Sequence, residues 1–404
     1  MTHGMVIVGG GMAGARAVIG LRAGGWDGPI TLVSEEALMP YDRPPLSKAA
    51  ITADEEPAPV TLLDEGMAAS LKAEMRLGKQ VTAIDPASRT IQLGDERLGY
   101  DKLLLATGAK PRQLNCPGAG HAIMLRDFSD ATLLRAKFQP GTRIAIIGGG
   151  FIGLELASSA SKRGCAVTLI EALPRILMRG VPEEIAQVVH ARHEAAGVKM
   201  ITGTGIASLR SHAVNLADGR TLPVDVIIAG IGAVPETKLA AAAGLALDNG
   251  IAVDGELRTS DPDIFAAGDC CSFPHPLFGN KRIRLEAWRN AQDQGMLAAG
   301  NMLGAARTYA AVPWFWSDQY DLSLQIAGMP GDGTEMLRRQ TGPDCFLIFH
   351  RDAGGRLVGV SGIGTGNSIA RDVKLAEMLI AKGISPSAEA LADPAVALKS
   401  LLRG

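Results

Sequence analysis

Aromatic side chains are scarce: Phe, Tyr and Trp make up 4% of the 404 residues, whereas glycine occurs 49 times. That balance suits an α/β protein with many tight strand-to-helix turns better than a β-sandwich. Excess charge is also lacking, with 40 Lys+Arg against 42 Asp+Glu and a net charge of −2. A nucleic-acid partner held by bulk positive charge is therefore not expected. No apolar run approaches the ~18 residues that would span a bilayer, so no stable membrane insertion is expected. The five cysteines (Cys116, Cys165, Cys270, Cys271, Cys345) are odd in number and show no CxxC spacing, which disfavours a disulfide framework and a tetrahedral zinc site. The seven histidines have no metal-ligand spacing either. His190 and His193 are expected on one helix, facing solvent, and no metal is expected. Met1 to Val8 runs straight into a strand with no basic leader region, so a cytoplasmic setting is expected.

What is present is a motif that occurs twice. The apolar run Met5-Val6-Ile7-Val8 leads into Gly9-Gly10-Gly11-Met12-Ala13-Gly14, then an Ala-rich helical stretch and a second strand, Ile30 to Val33, that ends near Ser34 and Glu35. Glu35 stands about 20 residues beyond the last glycine, as the βαβ dinucleotide unit requires. Gly9 permits the tight turn, Gly11 lets the backbone approach a pyrophosphate, and Gly14 lets helix and strand pack closely. The second copy runs from Arg143-Ile144-Ala145-Ile146-Ile147 through Gly148-Gly149-Gly150-Phe151-Ile152-Gly153 to Ala166–Glu171. A carboxylate at Glu171 accepts both ribose hydroxyls and repels a 2′-phosphate, so NADH is favoured over NADPH. Arg175 and Arg179 follow closely, and either could accept a phosphate, so the strictness of that preference stays open. Two complete copies imply two dinucleotides in one chain, and a redox flavoprotein is the economical explanation.

Three further segments carry a resemblance. They are Leu103-Leu104-Leu105-Ala106-Thr107-Gly108, the run Asp225 to Pro235, and Thr259-Ser260-Asp261-Pro262-Asp263-Ile264-Phe265-Ala266-Ala267-Gly268-Asp269. With the two glycine turns, they resemble the two-dinucleotide flavoprotein disulfide reductase superfamily. Tyr41-Asp42-Arg43-Pro44-Pro45-Leu46-Ser47-Lys48 and Pro313-Trp314-Phe315-Trp316-Ser317-Asp318-Gln319 narrow it. The chain is similar, along essentially its whole length, to the FAD-dependent NADH:ferredoxin reductases of Rieske oxygenase and bacterial cytochrome P450 systems, the putidaredoxin-reductase and biphenyl-dioxygenase-reductase types. The implied fold class is α/β, with two Rossmann-like, glutathione-reductase-like domains and a C-terminal α+β domain. FAD-binding segments are expected at 1–109 and 237–313, an NAD domain at 110–236, and a C-terminal interface domain at 314–404.

The resemblance implies tightly bound FAD in the first unit. Its contacts would come from Gly9, Gly11, Met12, Ala13, Gly14 and Glu35, from Ala106, Thr107 and Gly108, and from Asp269 at the ribityl chain. Arg43 is a further FAD-site candidate that, with Pro44-Pro45, fixes the loop ahead of Lys48, and Arg112 and Arg126 are phosphate or adenine candidates, with surface arginines at a domain junction as the alternative. The helix starting near Ala287 would aim its positive end at the flavin, with Trp288 against the ring or, alternatively, simply part of an interdomain core. NADH would be bound by Gly148, Gly150, Ile152, Gly153, Glu155, Glu171, Arg179 and Gly232. Lys48 and Glu155 are the catalytic candidates: family members pair these positions across the nicotinamide, and a cationic amine near flavin N5 would stabilise the charge that hydride transfer creates. Without the resemblance, Lys48 reads equally as a solvated helix lysine and Glu155 as a first-turn acid favoured by the helix dipole.

The stretch Tyr41 to Lys48, where disulfide reductases of this superfamily carry redox cysteines, has none. Cys270 and Cys271 read as buried small residues. Electrons would therefore leave to an external acceptor; a one-electron acceptor such as a [2Fe–2S] ferredoxin fits, and the resemblance implies an oxygenase beyond it. Trp316 resembles the residue that faces the iron–sulfur partner, with packing of the C-terminal domain as the competing account. Lys281, Arg282 and Arg284 form a basic stretch that would steer an acidic ferredoxin, or else a solvated face. A rubredoxin or another external acceptor is the nearest alternative. A membrane-associated NADH:quinone reductase and an NADH-sensing flavoprotein of the apoptosis-inducing type are more distant ones. Gly362-Ile363-Gly364-Thr365-Gly366 reads as a loop.

Overall fold

Met5–Val8, buried along its whole length, is the central strand of a five-stranded parallel sheet. The strand order is Ile264–Ala266, Lys102–Leu105, Met5–Val8, Ile30–Val33 and Ala73–Arg76. Near-continuous apolar strands of this kind are what a parallel sheet covered on both faces demands. The computed structural model describes residues 3–403 and resolves two units, of which this sheet organises the first: Met1–Asp42, Pro59–Lys110 and Val234–Pro313. The helices Met12–Ala23 and Trp288–Met302 pack on each other at backbone distance. A Cβ on Gly295 would fall 2.3 Å from the Ala13 carbonyl oxygen, and one on Gly20 would fall 2.8 Å from Ala299 Cβ.

The second unit comprises Arg43–Ala58, Pro111–Ala233 and Trp314–Gly404. Its parallel sheet runs Lys199–Thr202, Ala166–Glu171, Arg143–Ile147, Val226–Ala229. Its second layer is an antiparallel five-stranded sheet in the order Trp314–Gln319, Leu322–Gly328, Leu357–Thr365, Cys345–Arg351, Glu335–Gly342, with helix Ala370–Lys382 packed on it. One apolar cluster joins Ile51, Leu134, Leu154 and Leu156 to Leu322, Leu324, Phe346 and Ile363. Residues 43–58 thus cluster with the second unit, although the sequence bounds group them with the first flavin segment. Two contacts explain this: Ile51 is fully buried in that core, and the Arg135 guanidinium donates to the carbonyls of Ile51, Ala53, Asp54 and Glu55.

Two expectations need correction. Gly362 to Thr365 is not a loop but the end of strand Leu357–Thr365. Its glycines admit the neighbouring helix: a Cβ on Gly364 would lie 2.4 Å from Ser368 Oγ, and one on Gly362 3.0 Å from Ile369 Cδ1. His193 does not face solvent. It is fully buried on helix Glu183–Ala195, with Nε2 2.9 Å from Gln319 Oε1; His190 remains partly exposed beside Glu194.

Burial pushes His193 down to about 4 and does the same to His350, whose Nε2 meets Ser361 Oγ at 3.1 Å. In the unfolded chain both titrate near the ordinary value of ~6.5. The unfolded state therefore binds protons that the folded state refuses as pH falls from ~6.5 towards ~4, and stability is lost through that window. Each histidine contributes about 3 kcal/mol at most. The thermal midpoint should drop steeply between pH 6.5 and 4.5, and His350→Gln should flatten part of the drop. Melting curves independent of pH over that range would contradict this account. Among the described residues, no helix is long and apolar enough to cross a membrane, and no group of three or more His, Cys, Asp or Glu could hold a metal.

Candidate functional site

The two glycine turns have matching geometry. Gly9 has φ +123° and Gly148 φ +109°, and a Cβ there would lie 2.1 Å from the Ala106 oxygen or 2.4 Å from the Gly230 oxygen. On Gly14 or Gly153 it would stand 2.0 Å from the carbonyl oxygen of the turn's own first glycine. Chain folding itself forbids side chains at those four positions. The middle glycines differ. Gly11 and Gly150 have φ −88° and −83°, open to any residue, and a Cβ on either would meet nothing within 4 Å. What glycine serves there is approach from outside by another molecule. Helices Met12–Ala23 and Phe151–Lys162 both start at these glycines, with no side-chain cap and no acid in the first turn. Their leading N–H groups are left for an anion. The residues present fit a diphosphate at each turn, with Met12 and Ala13 opening the first helix and an exposed Ile152 the second.

In the first unit, Ala106, Thr107 and Gly108 follow strand Lys102–Leu105. The Ala106 N–H donates to the Val8 carbonyl, the Thr107 hydroxyl to the Glu236 carbonyl at 2.7 Å, and Gly108 turns with φ +68°. Glu35 is exposed at the end of strand Ile30–Val33. Asp269 follows strand Ile264–Ala266 after Gly268, which has φ +84°. Trp288 is the first residue of its helix, whose N-cap Ala287 has no side-chain cap, and its indole N–H donates to Asp42 at 2.6 Å. The arginines of the basic stretch are tied to the fold by hydrogen bonds. Arg282 donates to the carbonyls of Val253 and Ser272, and Arg284 to the Asp269 carbonyl and the Glu286 carboxylate. Lys281 is exposed. Cys270 and Cys271 are buried and unbridged, and burial raises both thiols, Cys271 well above the ordinary thiol range. Neither is primed as a nucleophile.

Arg43, Lys48 and Arg126 belong to the second unit, as do all the NAD candidates. The Arg43 guanidinium donates to the Arg126 carbonyl at 2.7 Å. Gly232, with φ +102°, accepts the Arg112 N–H through its carbonyl. Glu171 is held firmly, Oε2 accepting the Gly149 N–H at 2.7 Å and Oε1 the Leu173 N–H at 2.8 Å. Of the two arginines behind it, Arg175 is committed to the carbonyls of Ile176 and Val181, whereas Arg179 is exposed.

The most informative pair is Lys48 and Glu155. Lys48 follows the short helix Pro44–Ser47, and its Nζ lies 2.8 Å from Glu155 Oε2. Glu155 is 4% exposed, so the solvated-lysine and dipole-acid alternatives do not describe this pair. The Ser47 hydroxyl also donates to Oε2 and the Ser317 hydroxyl donates to Oε1 at 2.6 Å. Sequence reasoning missed both serines, because a serine has no signature of its own. The one available signal was an acid inside the apolar run Phe151-Ile152-Gly153-Leu154-Glu155-Leu156, which needs a buried partner. Strand alternation on Trp314–Gln319 puts Phe315 against Phe151, with ring centroids 4.4 Å apart. Trp314 and Trp316 share the other face, stacked at 5.1 Å and 19°.

Comparison with known proteins bears on the whole chain. The model of the pyridine nucleotide-disulphide oxidoreductase family matches residues 3–295, and that of the reductase C-terminal domain residues 314–402. The chain is 40% identical over 405 residues to the ferredoxin–NAD(+) reductase component of an anthranilate 1,2-dioxygenase system from Burkholderia cepacia, covering 98% of each. A rubredoxin–NAD(+) reductase from Pseudomonas putida is 40% identical over 332 residues, which span 80% of this chain and 86% of that one. The crystal structure of a covalent putidaredoxin reductase–putidaredoxin complex matches with a TM-score of 0.93 and 34% identity, over 99% of this chain and 98% of the other.

Proposed function

This chain belongs to the pyridine nucleotide-disulphide oxidoreductase family and, within it, to the ferredoxin reductases of oxygenase systems, and on that premise we propose that it is an FAD-containing enzyme that takes hydride from NADH and passes single electrons to a [2Fe–2S] ferredoxin feeding an oxygenase. The observation that carries this reading is the pair of matched glycine turns, each with a middle glycine that only an outside ligand needs. FAD, tightly held, is assigned to the first turn and NADH to the second. FAD supplies the chemistry, accepting the two electrons of a hydride together and releasing them singly.

The chain's own residues bind, orient and neutralise. Gly11 and Gly150 admit the two diphosphates. Glu171, fixed by two backbone N–H groups, accepts the ribose hydroxyls of NADH and disfavours a 2′-phosphate. The Lys48 ammonium, its charge balanced by Glu155, stabilises the negative charge that hydride transfer delivers to the acceptor ring. Within the first unit, the uncapped start of helix Trp288–Met302 would favour negative charge on the flavin assigned there. With no cysteine between Tyr41 and Lys48, no thiol there can intercept the electrons. Trp316 is assigned to the ferredoxin-facing surface, and the basic stretch Lys281, Arg282 and Arg284 is assigned to steering an acidic partner. The setting is proposed to be cytoplasmic. The 40% identical rubredoxin reductase makes rubredoxin the second reading.

One anaerobic stopped-flow experiment tests this. The purified yellow protein should be reduced by NADH with a higher kcat/KM than by NADPH, and should then reduce a [2Fe–2S] ferredoxin faster than a rubredoxin. Trp316→Ala should slow only the second step, about tenfold or more. Flavin that reduces but transfers no electrons to any ferredoxin offered would overturn the acceptor assignment.

A further inference from the structure

Glu155 is a buried carboxylate, and its two oxygens are held from different parts of the chain. Oε2 receives Lys48 and Ser47 from the segment Arg43–Ala58. Ser47 is braced in turn, its carbonyl accepting the Ser159 hydroxyl at 2.6 Å. Among the described residues, Oε1 receives one donor, the hydroxyl of Ser317 at 2.6 Å. Ser317 is 1% exposed and stands on strand Trp314–Gln319 of the C-terminal sheet.

Donor and acceptor chemistry fixes the direction of every bond behind it. A carboxylate only accepts, so the Ser317 O–H donates to Glu155. The Gln319 amide N–H then donates to Ser317 Oγ at 3.2 Å, and the ring N–H of buried His193 donates to Gln319 Oε1 at 2.9 Å. All donors point one way, from His193 through Gln319 and Ser317 to Glu155, an arrangement in which each bond polarises the next. An amide does not pass protons along readily, so this chain holds a charge in place; it does not conduct one.

We propose that Ser317 is a positioning residue for the NADH reaction: by anchoring Oε1 it stops the Glu155 carboxylate from turning away from Lys48, so the C-terminal sheet helps build the hydride-transfer site. This rests on the reading of Lys48 and Glu155 given above. Without Ser317, Oε1 is left without a donor at a buried position, and the carboxylate is free to swing about its last torsion in search of one.

The test combines kinetics with a readout independent of turnover. Ser317→Ala should lower the limiting rate of flavin reduction by NADH about tenfold, the loss expected for one hydrogen bond to a charged group, with the NADH dissociation constant unchanged. Ser317→Thr, which keeps the hydroxyl, should restore the rate. In a Glu155→Gln background, Ser317→Ala should cost nothing further, whereas damage to packing alone would add in full. Acetylation of Lys48, followed by mass spectrometry on protein that has not been given NADH, should accelerate in Ser317→Ala but not in Ser317→Thr. Lys110, paired with Glu236 at 2.9 Å, is the internal control. Normal flavin reduction and normal Lys48 labelling in Ser317→Ala would overturn the proposal while Lys48→Ala still slows the enzyme. Wild-type rates in Lys48→Ala and Glu155→Gln would instead remove the reading of the pair itself, and this inference with it.

Discussion

Lys48→Ala should slow the reduction of bound flavin by NADH about a hundredfold, the scale of losing one preorganised charge at a reacting centre. Two effects combine in that variant. The ammonium that balances the transferred charge is gone, and Glu155 is left without its cationic partner at 4% exposure, with only serine hydroxyls for company. Breaking a buried ion pair by removing one member costs about 3 kcal/mol of stability, so the single variant should also melt early. The double variant Lys48→Met/Glu155→Gln separates the effects: it removes both charges and should regain much of the melting temperature, yet remain slow. Stopped-flow absorbance at the flavin band, set beside thermal melts, reads both. A double variant as fast as the wild-type protein would mean that the pair matters for folding alone.

Gly11→Val and Gly14→Val, three positions apart, should have opposite consequences for the chain. At Gly14 a Cβ would sit 2.0 Å from the Gly9 carbonyl oxygen. The helix could not seat on its strand, and insoluble protein is expected. At Gly11 the backbone is extended with φ −88° and ψ −166°, which a β-branched residue adopts readily, and its Cβ meets nothing within 4 Å. The variant should fold with an unchanged melting temperature before flavin is added, but bind FAD about a hundredfold more weakly and emerge nearly colourless. Gly150→Val should do the converse, keeping its yellow colour while NADH no longer reduces it. A fully yellow Gly11→Val protein would remove the first nucleotide site from the account.

Both glycine turns were legible in the sequence, because a dinucleotide turn needs particular residues at particular spacings and tolerates few others. Strand Met5–Val8 and its counterpart Arg143–Ile147 announced themselves for the same reason. The parts that stayed hidden depend on contacts between distant segments. Residues 43–58 fall inside the first flavin segment by sequence, and only the burial of Ile51 in a cluster with residues such as Leu134 and Phe346 groups them with the second unit. Gly362 and Gly364 look like a flexible loop, because the helix that requires their smallness comes later in the chain. His193 on its helix gives no hint that Gln319, more than 100 positions on, will cover it. At the site, Lys48 and Glu155 could be named through resemblance, but their geometry and both serines could not.

The second unit is assembled from three stretches, of which the last, Trp314–Gly404, supplies Leu322, Phe346 and Ile363 to the same apolar cluster as Ile51. During synthesis on the ribosome, Ile51 emerges hundreds of residues before those partners do. Until then the cluster that Ile51 shares with Leu134, Leu154 and Leu156 lacks its C-terminal members, so this core closes only after Ile363 has been made. The growing chain should therefore depend on chaperones late in its production, and fragments that stop before Trp314 should aggregate however well their first sheet forms.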